Sequence, residues 1–401
     1  MPNQDLMPLP KLSIKERDRR YKKVRAAMAK EKIDVLILPG NHSRWGQMMA
    51  DSRYLTTIGG FGTETLTVFP REGDVTAYVF NRSGFWKGVQ DWVSDVRDGR
   101  NRWAENAIER LTELGFRDGR IGISGLEGLI RAPDGIVPHG VITRLEETFP
   151  KASIVNATAL VQEVRSVKSS EEIKLLRRSA EIAEMMAARM IADARPGANE
   201  KLIYADMIHT LLENGGELPT MLIFAGGKGL AHGQFVPTDK LLRKGDLLVN
   251  EIQATYAGYG AQIVQPVAIG TPPKGYERLL EASRTCFDNV VDKMRPGVTL
   301  GELMDAYTST IQKVGKGKFR SAHPLMHARG LGDESPALLG DDDLARFRGL
   351  SLKAGQVFIV KPRVGEADGK LTAQIGDTVV ISRTGGKRLG KRDLVLARAG
   401  E

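Results

Sequence analysis

The chain has 401 residues, 41% hydrophobic and 27% charged, with a formal net charge of +9 at pH 7. That length and mix suit a globular protein with two ordinary cores, and the apolar runs are too short to span a bilayer. Basic residues are scattered, a lone cysteine excludes a disulfide framework or thiolate metal cluster, and Met1 to Leu12 lacks the pattern of a secretion signal. A cytoplasmic protein is therefore expected, with neither nucleic acid nor membrane as a partner.

Ile14 to Lys30 reads as an amphipathic helix with Val24 and Met28 inward and the run Arg17, Arg19, Arg20, Lys22 and Lys23 solvated. Ile33 to Leu38 reads as a buried strand. Strands are expected at Thr65 to Phe69 and Val75 to Phe80, joined by a turn at Arg71 to Asp74. A helix at Ala104 to Leu114 and a strand at Arg120 to Ser124 complete an α/β pattern. Trp45, Trp86, Trp92 and Trp103 all fall in this first domain, for packing or subunit contact. A boundary is placed between Ala157 and Lys168, because Ser169 and Glu172 form a capping box that starts a long helix to about Ala194.

The second half repeats itself. Arg195-Pro196-Gly197 ends one helix and precedes another at Leu202 to Leu212; Arg295-Pro296-Gly297 does the same before Leu300 to Ile311. Each copy then has a lysine-containing turn into a strand, Lys244 to Val249 and Lys353 to Val360. Spaced by about one hundred residues, the copies suit a duplicated half-domain rather than a solenoid. Their strands would form one sheet about a pseudo-twofold axis, helices on one side and a cleft on the other. Gly226-Gly227-Lys228-Gly229 lacks the spacing of a phosphate-binding loop and is expected to be a flexible loop of the cleft. Cys286 is expected to be a small buried filler.

Together with this layout, Val249-Asn250-Glu251, Tyr256-Ala257-Gly258-Tyr259, Met326-His327-Ala328-Arg329-Gly330-Leu331-Gly332 and Ile375-Gly376-Asp377-Thr378-Val379 resemble the peptidase M24 superfamily of creatinases and prolidases. The resemblance implies an α/β (α+β) fold: a creatinase/prolidase-like N-terminal domain over residues 12–160, then a pita-bread domain with internal pseudo-twofold duplication over 169–401. Asp51 to Thr56 resembles a recurrent strand of that N-terminal domain. Metal-dependent relatives hold two divalent ions with two aspartates, a histidine and two glutamates. The resemblance places Glu251, Gln262, His327, Lys361 and Gly376 at those positions. Lys361 would set an ammonium where cations belong, Gln262 is a weak ligand and Gly376 has no side chain, so no metal and no cofactor is expected. Asp377 or Glu366 would restore one acidic ligand at most.

Resemblance to the metal-free creatinase and ectoine hydrolase implies a metal-independent hydrolase of a C–N bond in a small, carboxylate-bearing amino-acid-like or guanidino compound. In that reading His232 transfers protons, Glu251 attacks or activates water, and His327 stabilises developing charge. The blander reading of Glu251 is an ion pair with Lys361. Lys361, Arg329 and Arg363 would hold an anionic substrate, beside Tyr259 and Gln262. His323 and His327 are not read as a zinc pair, because Pro324 interrupts a helix there. Phe61 and Glu64 would reach a partner's cleft in a homodimer. The alternatives are an Xaa-Pro aminopeptidase or dipeptidase, a C–N or C–S lyase, and a non-catalytic binding protein on the same fold.

Overall fold

A computed structural model describes residues 9–41, 46–60, 62–219, 221–228, 236–321, 326–338 and 341–400. The chain divides into two compact units, one running to Glu172 and including Leu331–Ser335, the other holding the remainder. Among the described residues no helix is long and apolar enough to cross a membrane.

The first unit runs α1 (Ile14–Lys30), β1 (Val35–Gly40), α2 (Gln47–Thr56), β2 (Thr65–Pro70), β3 (Thr76–Val79), α3 (Ser83–Val89), β4 (Asp95–Asp98), α4 (Trp103–Glu113), β5 (Asp118–Ile123), α5 (His139–Thr148), β6 (Lys151–Asn156) and α6 (Thr158–Ser166). Its mixed sheet has the order β4-β3-β2-β1-β5-β6. Val35 and Ile37 of β1, Val68 of β2 and Ile121 of β5 meet Ala107 and Leu111 of α4 and Leu145 of α5 in one apolar cluster. Trp86 and Trp92 are buried, the latter donating its indole N–H to the Leu12 carbonyl.

One expected strand is a helix. Asp51 to Thr56 lies in α2, entered through Gly46 at φ 71° and left through Thr57 at φ 61°. Helical spacing brings Met48, Ser52 and Leu55 inward together, and the Ser52 hydroxyl meets those of Thr65 and Thr67 on β2. A strand would have turned these residues to opposite faces. In the middle of α2, Asp51 binds the buried Arg165 at 2.6 Å, and Arg165 reaches Glu334 at 2.6 Å. Glu334 also takes Lys168, and Asp333 takes Arg131, so the returning segment Leu331–Ser335 is held in this unit by charge.

The second unit begins inside α7 (Ser170–Asp193), a helix capped through Ser169 and Glu172 as its sequence predicts. α8 (Glu200–Glu213), β7 (Ile223–Gly227), β8 (Leu247–Tyr256), β9 (Tyr259–Ile263) and β10 (Val267–Ile269) complete the first half. The chain continues through α9 (Tyr276–Lys293), α10 (Leu300–Gly315), β11 (Phe319–Ser321), β12 (Met326–Arg329), β13 (Asp333–Leu338), whose first three residues fall in the first unit, α11 (Asp341–Phe347), β14 (Val357–Val360), β15 (Arg363–Glu366), β16 (Thr372–Gln374), β17 (Asp377–Ile381) and β18 (Gly386–Arg388) of the second half, and ends in β19 (Ala397–Ala399), which pairs with β10 of the first.

The duplication extends to individual hydrogen bonds. Gly197 N–H donates to Leu242 O at 2.8 Å and Gly297 N–H to Leu352 O at 2.9 Å; Gly245 donates to Ile269 O and Gly355 to Ile381 O, both at 2.8 Å. The Asp246 carboxylate accepts from Arg243 N–H as the Gln356 amide oxygen accepts from Lys353 N–H. Gly197 and Gly297 have φ of 84° and 92°, which explains why glycine closes both Arg-Pro-Gly turns. The halves join where Val264 and Gly376 exchange backbone hydrogen bonds. α7 and α8 cover one half through Ile182, Met186, Met190, Ile203 and Met207, and α9 and α10 cover the other through Leu279, Phe287, Leu303 and Ile311.

Candidate active site

Strand alternation sets the site. Leu248, Ile252 and Ala254 of β8 face the helices of the first half, which turns Glu251, Gln253 and Thr255 to the opposite face. Met326 and Ala328 of β12, and Phe358 and Val360 of β14, face the helices of the second half, so His327, Arg329 and Lys361 point the other way. The register of the β8–β9 hairpin sets Gln262 directly across from Gln253. Thr378 on β17 then clips Gln262 in place, its hydroxyl accepting from the Gln262 N–H and donating to the Gln262 carbonyl.

Glu251 is the hub. Its Oε2 accepts from Lys361 Nζ at 2.5 Å and from Gln262 Nε2 at 2.6 Å, and Arg363 Nη2 stands 3.9 Å from Oε1. Burial alone would raise this carboxyl's pKa, but the charge and hydrogen bond of Lys361, with the charges of Arg363 and His327, hold it below its ordinary value. Glu251 lies inside β8 rather than after it, as the sequence suggested, because β8 runs on to Tyr256. His327 is buried on β12 with Nδ1 3.3 Å from Ala328 O. The Arg329 guanidinium packs over Gly260, where a Cβ would come within 2.8 Å of Nη2.

The structure thus gathers Glu251, Gln262, His327, Lys361 and Arg363. Tyr259 is elsewhere: it pairs with Tyr256 on the helix-facing side of the hairpin and is buried there. Glu64 is half-buried in the first unit, before β2. His232, His323, Pro324, Phe61 and Trp45 lie outside the described residues. Gly226 and Gly227 are not loop residues but the end of β7, paired with Leu248 and Leu247. Cys286 is buried, and burial pushes its thiol up to about 12. Sequence reasoning missed Gln253, which sits beside Glu251 on the same face.

A two-cation centre does not fit these residues. The Lys361 ammonium is already bonded to Glu251, and Gln262 turns its N–H rather than its oxygen to that carboxylate. At Gly376 a Cβ would lie 2.7 Å from the Lys361 Cβ, so no longer side chain enters without movement. Asp377 is fully buried and bonded to Arg388 and Arg392, and Glu366 is at the far end of β15. Among the described residues no group of three or more His, Cys, Asp or Glu is placed to hold a metal ion.

A duplicated helix-backed sheet preceded by an α/β domain is the pita-bread architecture of creatinases and prolidases. The chain belongs to metallopeptidase family M24, an enzyme family: residues 174–383 match its model, and residues 20–167 match the creatinase/prolidase N-terminal domain. It is 27% identical over 261 residues to an Xaa-Pro dipeptidase of Pyrococcus horikoshii, covering 64% of this chain and 72% of that one. It is 29% identical over 269 residues to the Xaa-Pro dipeptidase of Pyrococcus furiosus, covering 65% and 73%. In fold it is similar to an X-Pro aminopeptidase from Thermotoga maritima, with TM-score 0.75 at 23% identity over 94% of this chain and 98% of that one. These relatives overturn the expectation of a creatinase-type hydrolase of small amino-acid-like or guanidino compounds: they carry the names of proline-directed peptidases.

Proposed function

We propose that the chain acts on small peptides of the Xaa-Pro kind, bound against the Glu251 face of the second unit. The reading rests on one coincidence: Lys361 and Gln262, two of the positions that the resemblance assigns to the site, bond to a third, Glu251, in a chain whose relatives are named Xaa-Pro dipeptidases. Among the described residues of this face, Lys361 and Arg363 both stand beside Glu251, two cations to one carboxylate, which favours a ligand that brings its own, as a dipeptide does. Glu251, held ionised, is the group placed to take a proton from water, and Lys361 is placed to bind a carbonyl oxygen as charge develops on it. No step is assigned to a metal ion, because the side chains of the described residues do not fit one. A cytoplasmic homodimer is part of the same reading, and light scattering after size exclusion tests the assembly.

The test is proline release from Ala-Pro and Gly-Pro, with Ala-Ala as control, followed by chromatography. Wild-type protein is expected to release proline and Glu251→Gln to lose at least about a hundredfold of the rate. A specific observation favours a second reading, binding without cleavage: Oε2 of Glu251 is already shared by two donors. Calorimetric binding of Ala-Pro with no proline released would select it.

A further inference from the structure

We infer that Gln253 and Gln262 form a subsite for a neutral N–H donor, so that the ligand bound on the Glu251 face is an anion carrying an amide N–H, such as an N-acylated dipeptide. This rests on the peptide reading above and narrows its substrate class.

The side-chain oxygens of Gln253 and Gln262 are both buried and have no hydrogen-bond partner among the described residues. The two residues are 2% and 0% exposed, and their strand positions face each other across the hairpin. Gln262 spends its N–H on Glu251, and Gln253 turns its own towards the Thr255 hydroxyl, so the side of each amide left over is the acceptor. Burying two such acceptors unpaired is costly, and a native site that does so has a donor to receive.

The duplicated half shows an N–H donor at the matching place. Arg363 follows Lys361 by two residues as Gln253 follows Glu251, and Arg363 faces Gln374 across β15 and β16 as Gln253 faces Gln262. There the Gln374 oxygen is satisfied by Arg363, at 3.1 Å from Nε and 2.7 Å from Nη2. With glutamine in place of arginine, the first half keeps the acceptor and lacks the donor. Charge then decides which donor the ligand brings. Lys361, Arg363 and His327 all act on Glu251, the carboxylate at this site, so an ammonium would join a face already rich in cations, whereas an amide N–H meets no such penalty.

The experiment is calorimetric titration of the full chain with N-acetyl-Ala-Pro and with Ala-Pro. The acetylated peptide is expected to bind about tenfold more tightly, and the preference is expected to fall to near one in Gln262→Met and in Gln253→Met. Gln253→Met leaves the bond to Glu251 intact and covers a folding failure of the other variant. Equal affinities, a preference for the free ammonium, or a preference surviving in both variants would overturn the subsite and leave water as the partner of these oxygens. If neither peptide binds wild-type protein, the peptide reading fails by itself, and N-acetylglycine against glycine then judges the subsite by the same preference and the same variants.

Discussion

Glu251 and Lys361 stand 110 residues apart in the chain and 2.5 Å apart in space, and they occupy matching positions in the two halves of the duplicated unit. Each lies six residues after a glycine that makes the same backbone bond, Gly245 to Ile269 and Gly355 to Ile381. Divergence of the two copies to opposite charge has put an ion pair at the centre of the face where the halves meet.

That pair is buried, with side chains 5% and 9% exposed for Lys361 and Glu251, so removing one partner strands the other. Lys361→Ala is expected to lower stability by about 3–5 kcal/mol, and Glu251→Ala by a similar amount. Glu251→Leu combined with Lys361→Met is expected to cost less than either single change, because no charge is left unpaired. Urea unfolding of the three variants checks this; a double variant weaker than both singles would mean that shape, not charge, holds the site.

The depressed pKa of Glu251 fixes the direction of a pH effect. A carboxyl whose folded pKa lies below its unfolded value, about 4.3, contributes stability that is fully present above that value and is lost as pH falls through the folded one. The stability gap between wild type and Glu251→Gln is therefore expected to be widest near neutral pH and to shrink in acid below about pH 4. Denaturant melts at stepped pH measure it, and a gap that grows in acid would contradict the assignment.

Gly260 is tested by its neighbour. A methyl group there would sit 2.8 Å from the Arg329 guanidinium, which is buried and unable to swing into solvent. Gly260→Ala is expected to destabilise by about 1–3 kcal/mol, read from a lowered thermal midpoint. An unchanged midpoint would show that Arg329 yields freely.

The duplication was legible because two Arg-Pro-Gly turns need a glycine at positive φ, and a need of that kind leaves a mark in sequence. Four of the converging side chains were legible too, by position in a family pattern. Gln253 was not, because its partner is across a hairpin; yet the turn at Ala257 and Gly258, with φ of 51° and 82°, fixes the register once recognised as a two-residue turn. The α2 segment was misread since its polar Asp51 and Ser52 are buried by Arg165 and by threonine hydroxyls that only the folded unit supplies. Tyr259 was misplaced for a simpler reason: its strand parity puts it opposite Gln262.

The claim that most separates this chain from the metallopeptidases it resembles is that Lys361 holds the place of a cation. Elemental analysis of the purified protein after incubation with manganese and removal of free ion tests it directly. The account predicts trace metal only, unchanged in Gly376→Glu, whose new side chain meets the Lys361 Cβ. Two ions per chain in the wild type would contradict it and return the site to the metal chemistry for which the family is named.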